Sequence, residues 1–308
     1  MCLFLWFMRK IFFIFLCFTL SCYSFGQVKA ILIDKITKEP IAFATVYDSI
    51  TKNGTHSDEK GYFTLKCQGS VLISHILYEM QLIPCSKVGD SVFLIPKEFV
   101  LSPIEITSKR NKEKIKKSEI IKLGVWNGIS KMQYEGIKEA ALFIENPIRK
   151  PCLVNKVFFS FSNVKFDDDG VGTIKDKDIL LSIQIYNRSK LTSEPALQLL
   201  RQQLTYRLKA GDTKVSIDLL NKKVFFPSEG GFVAVEFLGY FEEENFIPTD
   251  FNNVDIKKQF SPDLSGKHLN KNSFYRKTFS NEWDMVNVDF EGFFNFNFGI
   301  EIILSGDY

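Results

Sequence analysis

Histidine and closely spaced cysteines, which build most structural zinc sites, are scarce in this 308-residue chain. Its three histidines, His56, His75 and His268, lie far apart in the sequence, and no Cys-x-x-Cys motif occurs. The sequence also lacks a Gly-x-Ser-x-Gly nucleophile elbow, a His-Glu-x-x-His motif and a glycine-rich phosphate loop. We therefore expect no structural zinc site, and the absence of these motifs favours a non-catalytic protein.

A strong charge of either sign is missing as well. The chain has 39 basic and 36 acidic residues, a formal net charge of +3. Arg9 and Lys10 are the only charged residues among the first 26, which leaves 37 basic against 36 acidic residues in the remainder. A nucleic-acid-binding protein needs a strongly basic face, so we expect no nucleic-acid partner. Beyond residue 26 no apolar run reaches the ~20 residues that a membrane-spanning helix needs, so none is expected in the mature chain.

The amino-terminal segment is the one strongly apolar stretch. Arg9 and Lys10 precede an apolar run over 11–20 and then small residues, the order of a secretory signal peptide with cleavage before Gln27. The prediction is a signal peptide over 1–26, with Met8 as a second candidate start. Two alternatives are an uncleaved membrane anchor and a lipoprotein modified at Cys22. We expect the mature protein in the periplasm or associated with the outer membrane.

Phenylalanine, by contrast, is abundant at 31 residues, which favours packed sheets. Over 27–107, short stretches of alternating apolar and polar residues are separated by turn residues, a pattern typical of a small β-sandwich. One predicted strand covers 41–47. A predicted hairpin turn over 52–55 places Gly54 where a positive φ is needed.

Residues 27–107 also resemble a known family. The matching residues are Asp34, Thr37, 40–46, Gly54, Thr55, 57–59, 61–63, 72–74 and Tyr78. In this order and spacing they resemble the carboxypeptidase-regulatory-like domain, a transthyretin-like sandwich common in envelope proteins of Bacteroidetes. Leu77 departs from the pattern, which usually has glycine there. The resemblance covers roughly a quarter of the chain and implies an accessory domain without catalytic residues.

Three cysteines remain after the predicted signal peptide: Cys67, Cys85 and Cys152. An odd number permits at most one bridge within the chain. A Cys67–Cys85 disulfide would suit an oxidising compartment, and three buried thiols are the alternative.

A basic linker over 108–120 separates this first domain from a second one over 121–308. The second domain shows eight to ten predicted strands, which indicates a jelly-roll-like sandwich, so the fold class is all-β throughout. The only helical turn that we predict lies over 194–200, with Pro195 near its start. The second half also resembles a domain that often follows the first in uncharacterised Bacteroidetes envelope proteins, although most of the matching residues are apolar.

Two groups in the second domain are candidate binding residues. Asp167, Asp169 and Asp176 form an acidic cluster with a glycine turn, which suits Ca²⁺ as the one cofactor to consider; a plain polar hairpin loop is the alternative. The aromatic residues Trp126, Tyr240 and Trp283 are candidates for stacking on sugars, against the alternative of core packing.

The sequence therefore predicts a secreted, non-catalytic envelope protein that binds a glycan, a peptide or a partner protein. One alternative is an accessory domain or weak hydrolase in polysaccharide or peptidoglycan processing. Another is a small outer-membrane β-barrel, which the aromatic alternation over 294–302 suggests.

Overall fold

The structure is a computed structural model that describes residues 26–97, 120–125, 130–132, 137–161, 177–248, 264–269, 273–277, 282–288 and 292–304. Within these ranges the chain forms β-strands and two short 3-10 turns, and no α-helix. The all-β prediction is confirmed. No helix in the described part of the chain has the length and apolar character needed to cross a membrane.

Seven strands build the first unit over the described residues 26–97. They are β1 (Gly26–Asp34), β2 (Thr45–Asp48), β3 (Gly54–His56), β4 (Tyr62–Cys67), β5 (Ser70–His75), β6 (Tyr78–Pro84) and β7 (Ser91–Leu94). They form a three-stranded sheet in the order β4-β1-β7 and a four-stranded sheet in the order β3-β2-β5-β6. Buried side chains such as Leu32, Phe63, Val46 and Ile73 fill the space between the two sheets. Residues 26–97 are therefore a β-sandwich, as the alternating pattern predicts.

Two local predictions in this unit are wrong in detail. Strand β2 begins at Thr45 and not at Ile41, because Phe43 has a φ of 59° and interrupts the extended conformation. In the turn after β2 the positive φ belongs to Lys52, while Gly54 is the first residue of β3. A non-glycine residue with a positive φ costs conformational energy, so sequence patterns do not predict Phe43 or Lys52 at these positions.

A disulfide joins Cys67, at the end of β4, to Cys85, just after β6. The bridge links the two sheets of the sandwich, and the Cα atoms of the two cysteines lie 6.0 Å apart. Of the two alternatives, a Cys67–Cys85 disulfide or three buried thiols, the structure has the disulfide. The third cysteine, Cys152, is a buried free thiol in the second unit.

Seventeen strands follow in the described part of the second unit. They are β8 (Ile120–Gly124), β9 (Ser130–Met132), β10 (Ile137–Ile144), β11 (Cys152–Ser160), β12 (Ile179–Arg188), β13 (Pro195–Gln198), β14 (Leu204–Leu208), β15 (Lys214–Asp218), β16 (Phe225–Phe226), β17 (Gly231–Glu242), β18 (Asn245–Pro248), β19 (Leu264–Leu269), β20 (Ser273–Lys277), β21 (Asp284–Met285), β22 (Asn287–Val288), β23 (Gly292–Phe296) and β24 (Phe298–Ile303).

An eight-stranded and a five-stranded sheet face each other in this unit. The large sheet has the order β13-β12-β17-β10-β20-β21, with β14 beside β12 and β18 beside β17. The smaller sheet has the order β15-β11-β24-β8, with β16 beside β11, and a separate four-stranded sheet has the order β22-β23-β19-β9. Isoleucine, leucine, valine and phenylalanine side chains fill the core between the two facing sheets. On the smaller sheet, the neighbouring rings of Phe159 and Phe298 have centroids 4.9 Å apart. The finer jelly-roll topology stays a prediction.

The predicted helical turn over 194–200 is wrong. Pro195–Gln198 forms strand β13, which pairs antiparallel with β12. The amide of Leu197 donates to Asn187 Oδ1 at 2.6 Å, and the amide of Leu199 donates to the carbonyl of Ile185 at 2.7 Å. Pairing with a neighbouring strand therefore outweighs the local preference for a helix, which is weak over so few residues.

Candidate functional site

The outer face of the eight-stranded sheet carries charged side chains where the first sandwich covers it. Glu139 on β10 and Glu236 on β17 are direct antiparallel partners, so both side chains lie on the same face. Arg276 on β20 is aligned with Glu139, and Ser182 on β12 is aligned with Glu236. We call the group His56, Lys138, Glu139, Tyr186, Glu236 and Arg276 the seam cluster. Two like charges directly opposite each other are destabilising, so each carboxylate requires its own cation.

Glu139 is fully buried, and its carboxylate has two hydrogen-bonding partners. The Tyr186 hydroxyl donates to Oε1 at 2.7 Å, and Arg276 Nε donates to Oε2 at 3.1 Å while Nη2 binds the same oxygen. Burial alone, the largest single influence, would lower the pKa of Arg276, but the charge and hydrogen bond of Glu139 together with Tyr186 and Glu236 outweigh it, and the pKa is raised. Burial, followed by the same carboxylate, raises the pKa of Tyr186 well above its usual value. Arg276 is therefore a permanent cation and Tyr186 a permanent donor.

Glu236 meets its cation from the neighbouring strand. Lys138 Nζ lies 3.2 Å from Glu236 Oε1, and Nε2 of His56 on β3 of the first sandwich lies 3.9 Å from the same oxygen. Burial alone would raise the pKa of Glu236, but Lys138 and His56 lower it well below its usual value. Burial, the largest influence, lowers the pKa of His56, so this ring is neutral at pH 7. Glu236 is thus ionised and paired with Lys138, and it faces His56 across the contact between the two units.

Two further contacts fix the first sandwich on the second unit. His75 accepts the amide of Leu77 at Nδ1, 3.1 Å away, which leaves the proton on Nε2 for Gln203 Oε1 at 3.2 Å. Phe43 packs edge-on against Phe246 at 5.2 Å, over a buried apolar cluster of the second unit. The four-stranded sheet therefore lies against the second unit, and the three-stranded sheet lies on the far side of the sandwich.

This arrangement is poorly suited to acid–base catalysis. A glycosidase pair needs one carboxyl group that holds a proton near neutral pH. Here Arg276 binds Glu139 and Lys138 binds Glu236, and the depressed pKa of Glu236 keeps that residue deprotonated. What the cluster can do chemically is to pair the charges of neighbouring strands in the eight-stranded sheet and to bring Glu236 within 3.9 Å of His56 of the first sandwich.

The outer face of the three-stranded sheet differs from the seam. Tyr62 on β4 is 55% exposed and Phe93 on β7 is 45% exposed. Lys29 and Lys66 lie on the same face and are exposed. The face is therefore aromatic and cationic, and the strands that form it place no acidic side chain on it.

Sequence reasoning did not single out Tyr62 or Phe93. The signal was nevertheless present, because both alternate with core positions: Phe63 and Leu65 are buried in β4, and Val92 and Leu94 are buried in β7. An aromatic residue at the outward position of such a strand has no core to enter.

The predicted sugar-stacking residues are placed as follows. Trp126 lies outside the described residues. Tyr240 on β17 is only 7% exposed, and Lys177 Nζ lies 4.6 Å from its ring centroid. Trp283 is half-buried, packs against Tyr186 at 5.8 Å and has the Arg276 guanidinium 4.6 Å from its ring. Both described rings are thus engaged within the protein, and their role in ligand binding stays a prediction.

The predicted calcium residues Asp167, Asp169 and Asp176 also lie outside the described residues. Their neighbour Asp178 is described: Arg207 Nε and Lys209 Nζ each lie 2.7 Å from its Oδ2, and the amide of Ala210 donates to Oδ1 at 2.9 Å. These donors, above all Lys209, lower the pKa of Asp178 to about 2. Its carboxylate is already neutralised by two protein cations.

One other group of metal-ligand residue types is present in the described part of the chain: Asp48, Cys67 and Cys85, whose ligand atoms lie within 4.8 Å of one another. The two sulfurs are joined in the disulfide and are not thiolates. Asp48 accepts the amides of Gly69 at 3.0 Å and Gln68 at 3.2 Å, and the Thr51 hydroxyl at 2.8 Å. The oxidised site therefore does not fit a metal ion.

When the chain is compared with known proteins, no protein-family model and no curated protein matches it.

Proposed function

We propose that this protein is a secreted, non-catalytic binding module of the cell envelope, and that its binding surface lies on its first sandwich. The observation that carries the proposal is the contrast between the two faces of that sandwich. Its four-stranded sheet is fixed to the second unit through His56, His75 and Phe43, whereas its three-stranded sheet exposes Tyr62 and Phe93 on the far side. Exposed aromatic side chains on a rigid scaffold are typical of recognition surfaces.

The seam cluster supports a scaffold role for the second unit. A buried ion pair adds little net stability compared with an apolar pair, but it disfavours every arrangement that leaves a charge unpaired. Glu236 pairs with Lys138 within the second unit, and it lies 3.9 Å from His56 of the first sandwich. With its charges paired in this way, the cluster would form part of the contact that holds the sandwich rather than act on a substrate.

The disulfide supports secretion. Bridges such as Cys67–Cys85 form and persist in oxidising compartments and are rare in the cytosol. This agrees with a signal peptide over 1–26, which lies outside the described residues except for Gly26. The two-sheet sandwich over 26–97 is likewise compatible with the resemblance to the carboxypeptidase-regulatory-like domain, which stays part of the proposal.

The test combines capture with a turnover assay. The purified chain would be immobilised and incubated separately with isolated peptidoglycan, envelope polysaccharide and envelope proteins. The same fractions would be analysed for released reducing sugars or peptides. We expect saturable retention of one fraction without product release, and weaker retention by a Tyr62→Ala/Phe93→Ala variant.

The competing hypothesis of a weak hydrolase gives a different result. Glu139 and Glu236 are the carboxylates that directly face each other, so the variants Glu139→Gln and Glu236→Gln are its probes. Product release that either substitution abolishes, in a variant that keeps its fold, would overturn the non-catalytic proposal. If no fraction is retained at all, the binding proposal itself is wrong.

A further inference from the structure

We propose that the outer face of the three-stranded sheet binds an acidic polysaccharide, through stacking on Tyr62 and Phe93 and through charge pairing with Lys29 and Lys66. This inference rests on the proposed function and names its ligand class.

The register places these side chains on one surface. Ile31 of β1 is paired with Tyr62 of β4, and two residues further along, Ile33 of β1 is paired with Phe93 of β7. Since side chains alternate between faces, Lys29, Ile31 and Ile33 all point to the side opposite the core residues Ala30 and Leu32. The two aromatic rings therefore flank a central aliphatic strip on β1, on strands separated by roughly 10 Å.

The exposure of the rings fits stacking. Tyr62 and Phe93 keep about half of their surface accessible, and Ile31 and Ile33 between them are half-buried. The C–H faces of pyranose rings are apolar and stack on aromatic rings as other apolar surfaces do. A sugar chain laid across β1 would contact both rings and the isoleucines between them.

The positive charge of the outer face of the three-stranded sheet favours an acidic polysaccharide over a neutral one. Lys29 and Lys66 are exposed at outward positions, and Lys38 Nζ lies 5.0 Å from the centroid of the Phe93 ring. None of β1, β4 and β7 carries an outward acidic residue. The nearby acids Glu39, Asp58, Glu59 and Asp90 lie in the loops at the sheet ends, and Asp58 accepts the amides of Lys60 and Tyr62 in its own turn. Lys29 and Lys66 lie towards the start of β1 and Lys38 lies beside Phe93, so ammonium groups at both ends of the aromatic strip complement a sugar chain that bears carboxylates.

An acidic peptide would satisfy the lysines, but it offers fewer flat apolar faces to the rings. The two occupants therefore differ in one measurable property. A polysaccharide should depend on both the rings and the lysines, whereas an acidic peptide held by charge alone should depend on the lysines and ignore the rings.

The experiment measures the dissociation constant of the full purified chain for three probes at low and moderate salt. The probes are polygalacturonate as an acidic polysaccharide, dextran as a neutral one and poly-glutamate as an acidic peptide. The test variants are Tyr62→Ala, Phe93→Ala and Lys29→Gln/Lys66→Gln. The controls are Leu82→Ala, an exposed apolar residue on the other sheet, and Lys214→Gln, an exposed cation of the second unit.

We expect binding to polygalacturonate that weakens with salt. Each ring variant should weaken it about three- to tenfold, on the scale of a lost aromatic contact. The double lysine variant should weaken it by roughly five- to tenfold at low salt and by less at high salt, because exposed charges are screened. Both controls should bind as the unaltered chain does, and all variants should melt within ~2 °C of it.

Other outcomes overturn the inference in distinguishable ways. Equal binding of dextran would remove the charge argument, and poly-glutamate binding that ignores the ring variants would make the site an electrostatic one for peptides. Retention of an envelope protein without any polysaccharide binding would overturn the ligand class while the proposed function stands. If the chain binds none of the probes and none of the envelope fractions, both proposals fail.

Discussion

Replacing Arg276 by methionine would leave a buried carboxylate without its cation. Glu139 is fully buried, and its Oε2 receives two donors of the Arg276 guanidinium, whereas Oε1 receives the Tyr186 hydroxyl. Breaking a buried ion pair on one side costs about 3–5 kcal/mol, because the remaining charge stays desolvated. The Arg276 guanidinium also covers the Trp283 ring at 4.6 Å, and methionine retains part of that packing. We therefore expect Arg276→Met to lower the free energy of unfolding by roughly 3 kcal/mol.

The double variant Glu139→Leu/Arg276→Met separates the charge effect from the packing effect. It removes both charges and keeps side chains of similar volume, so most of the lost stability should return. The Tyr186 hydroxyl then loses its acceptor, which should cost about 1–3 kcal/mol, so recovery would be incomplete. The coupling between the two sites, obtained from a double-mutant cycle, should therefore be large and favourable.

The measurement is urea-induced unfolding of the single and double variants, followed by fluorescence and by hydrogen exchange of β10 and β20. Hydrogen exchange is needed because a chain with two units can unfold in more than one step. The reasoning would be refuted if Arg276→Met cost less than about 1 kcal/mol, the value for an exposed pair. It would also fail if the second substitution lowered stability further by an amount that simply adds to the first.

Three further predictions concern the first sandwich. Gly61→Ala should lower the free energy of unfolding by roughly 1–3 kcal/mol, because Gly61 has a φ of 81° and a Cβ there would lie 2.8 Å from a backbone oxygen. The control is Gly89→Ala, which has open space around it and should be neutral in the same thermal melt. Removing the disulfide by Cys67→Ala/Cys85→Ala should cost about 3 kcal/mol, and a reductant should then no longer lower the melting temperature; an undiminished effect of reductant would contradict this. Burial lowers the pKa of His75 from 6.5 to about 4, so on acidification the unfolded chain takes up a proton at this residue before the folded chain does. The stabilising effect of the neutral ring is fully present above pH 6.5 and is lost as the pH falls towards 4, which lowers the free energy of unfolding by roughly 3 kcal/mol in all. His75→Gln should flatten this part of the curve of stability against pH.

The sequence was informative wherever burial alternates along a strand. Strand β4 shows strict alternation of exposed and buried residues, and its existence was predictable from that pattern. The beginning of β2 was not, because no local pattern indicates the positive φ of Phe43, whose amide donates to the carbonyl of Ser57, 14 residues later in the chain. The strand at Pro195 was missed for the same reason: its hydrogen bonds come from β12, a partner that local reasoning does not include.

The seam cluster could not be predicted, because its members are far apart in the sequence. Glu139 and Glu236 become neighbours through the pairing of β10 with β17, which places residues 97 positions apart directly opposite each other. Arg276 arrives from a third strand and His56 from the other unit. A sequence pattern shows which positions face outward, but it does not show which outward face another sheet will cover.

Charge has opposite consequences at the seam and on the outer face of the first sandwich. At the seam, Lys138 has lost most of its water and pairs with Glu236 of the neighbouring strand, so this ion pair stabilises the sheet on which the first sandwich lies. On the outer face, Lys29 and Lys66 keep their hydration, so they contribute little to folding and can exchange water for an anionic ligand. Substitutions at the seam should therefore change stability, whereas substitutions on the outer face should change binding and leave stability nearly unaltered.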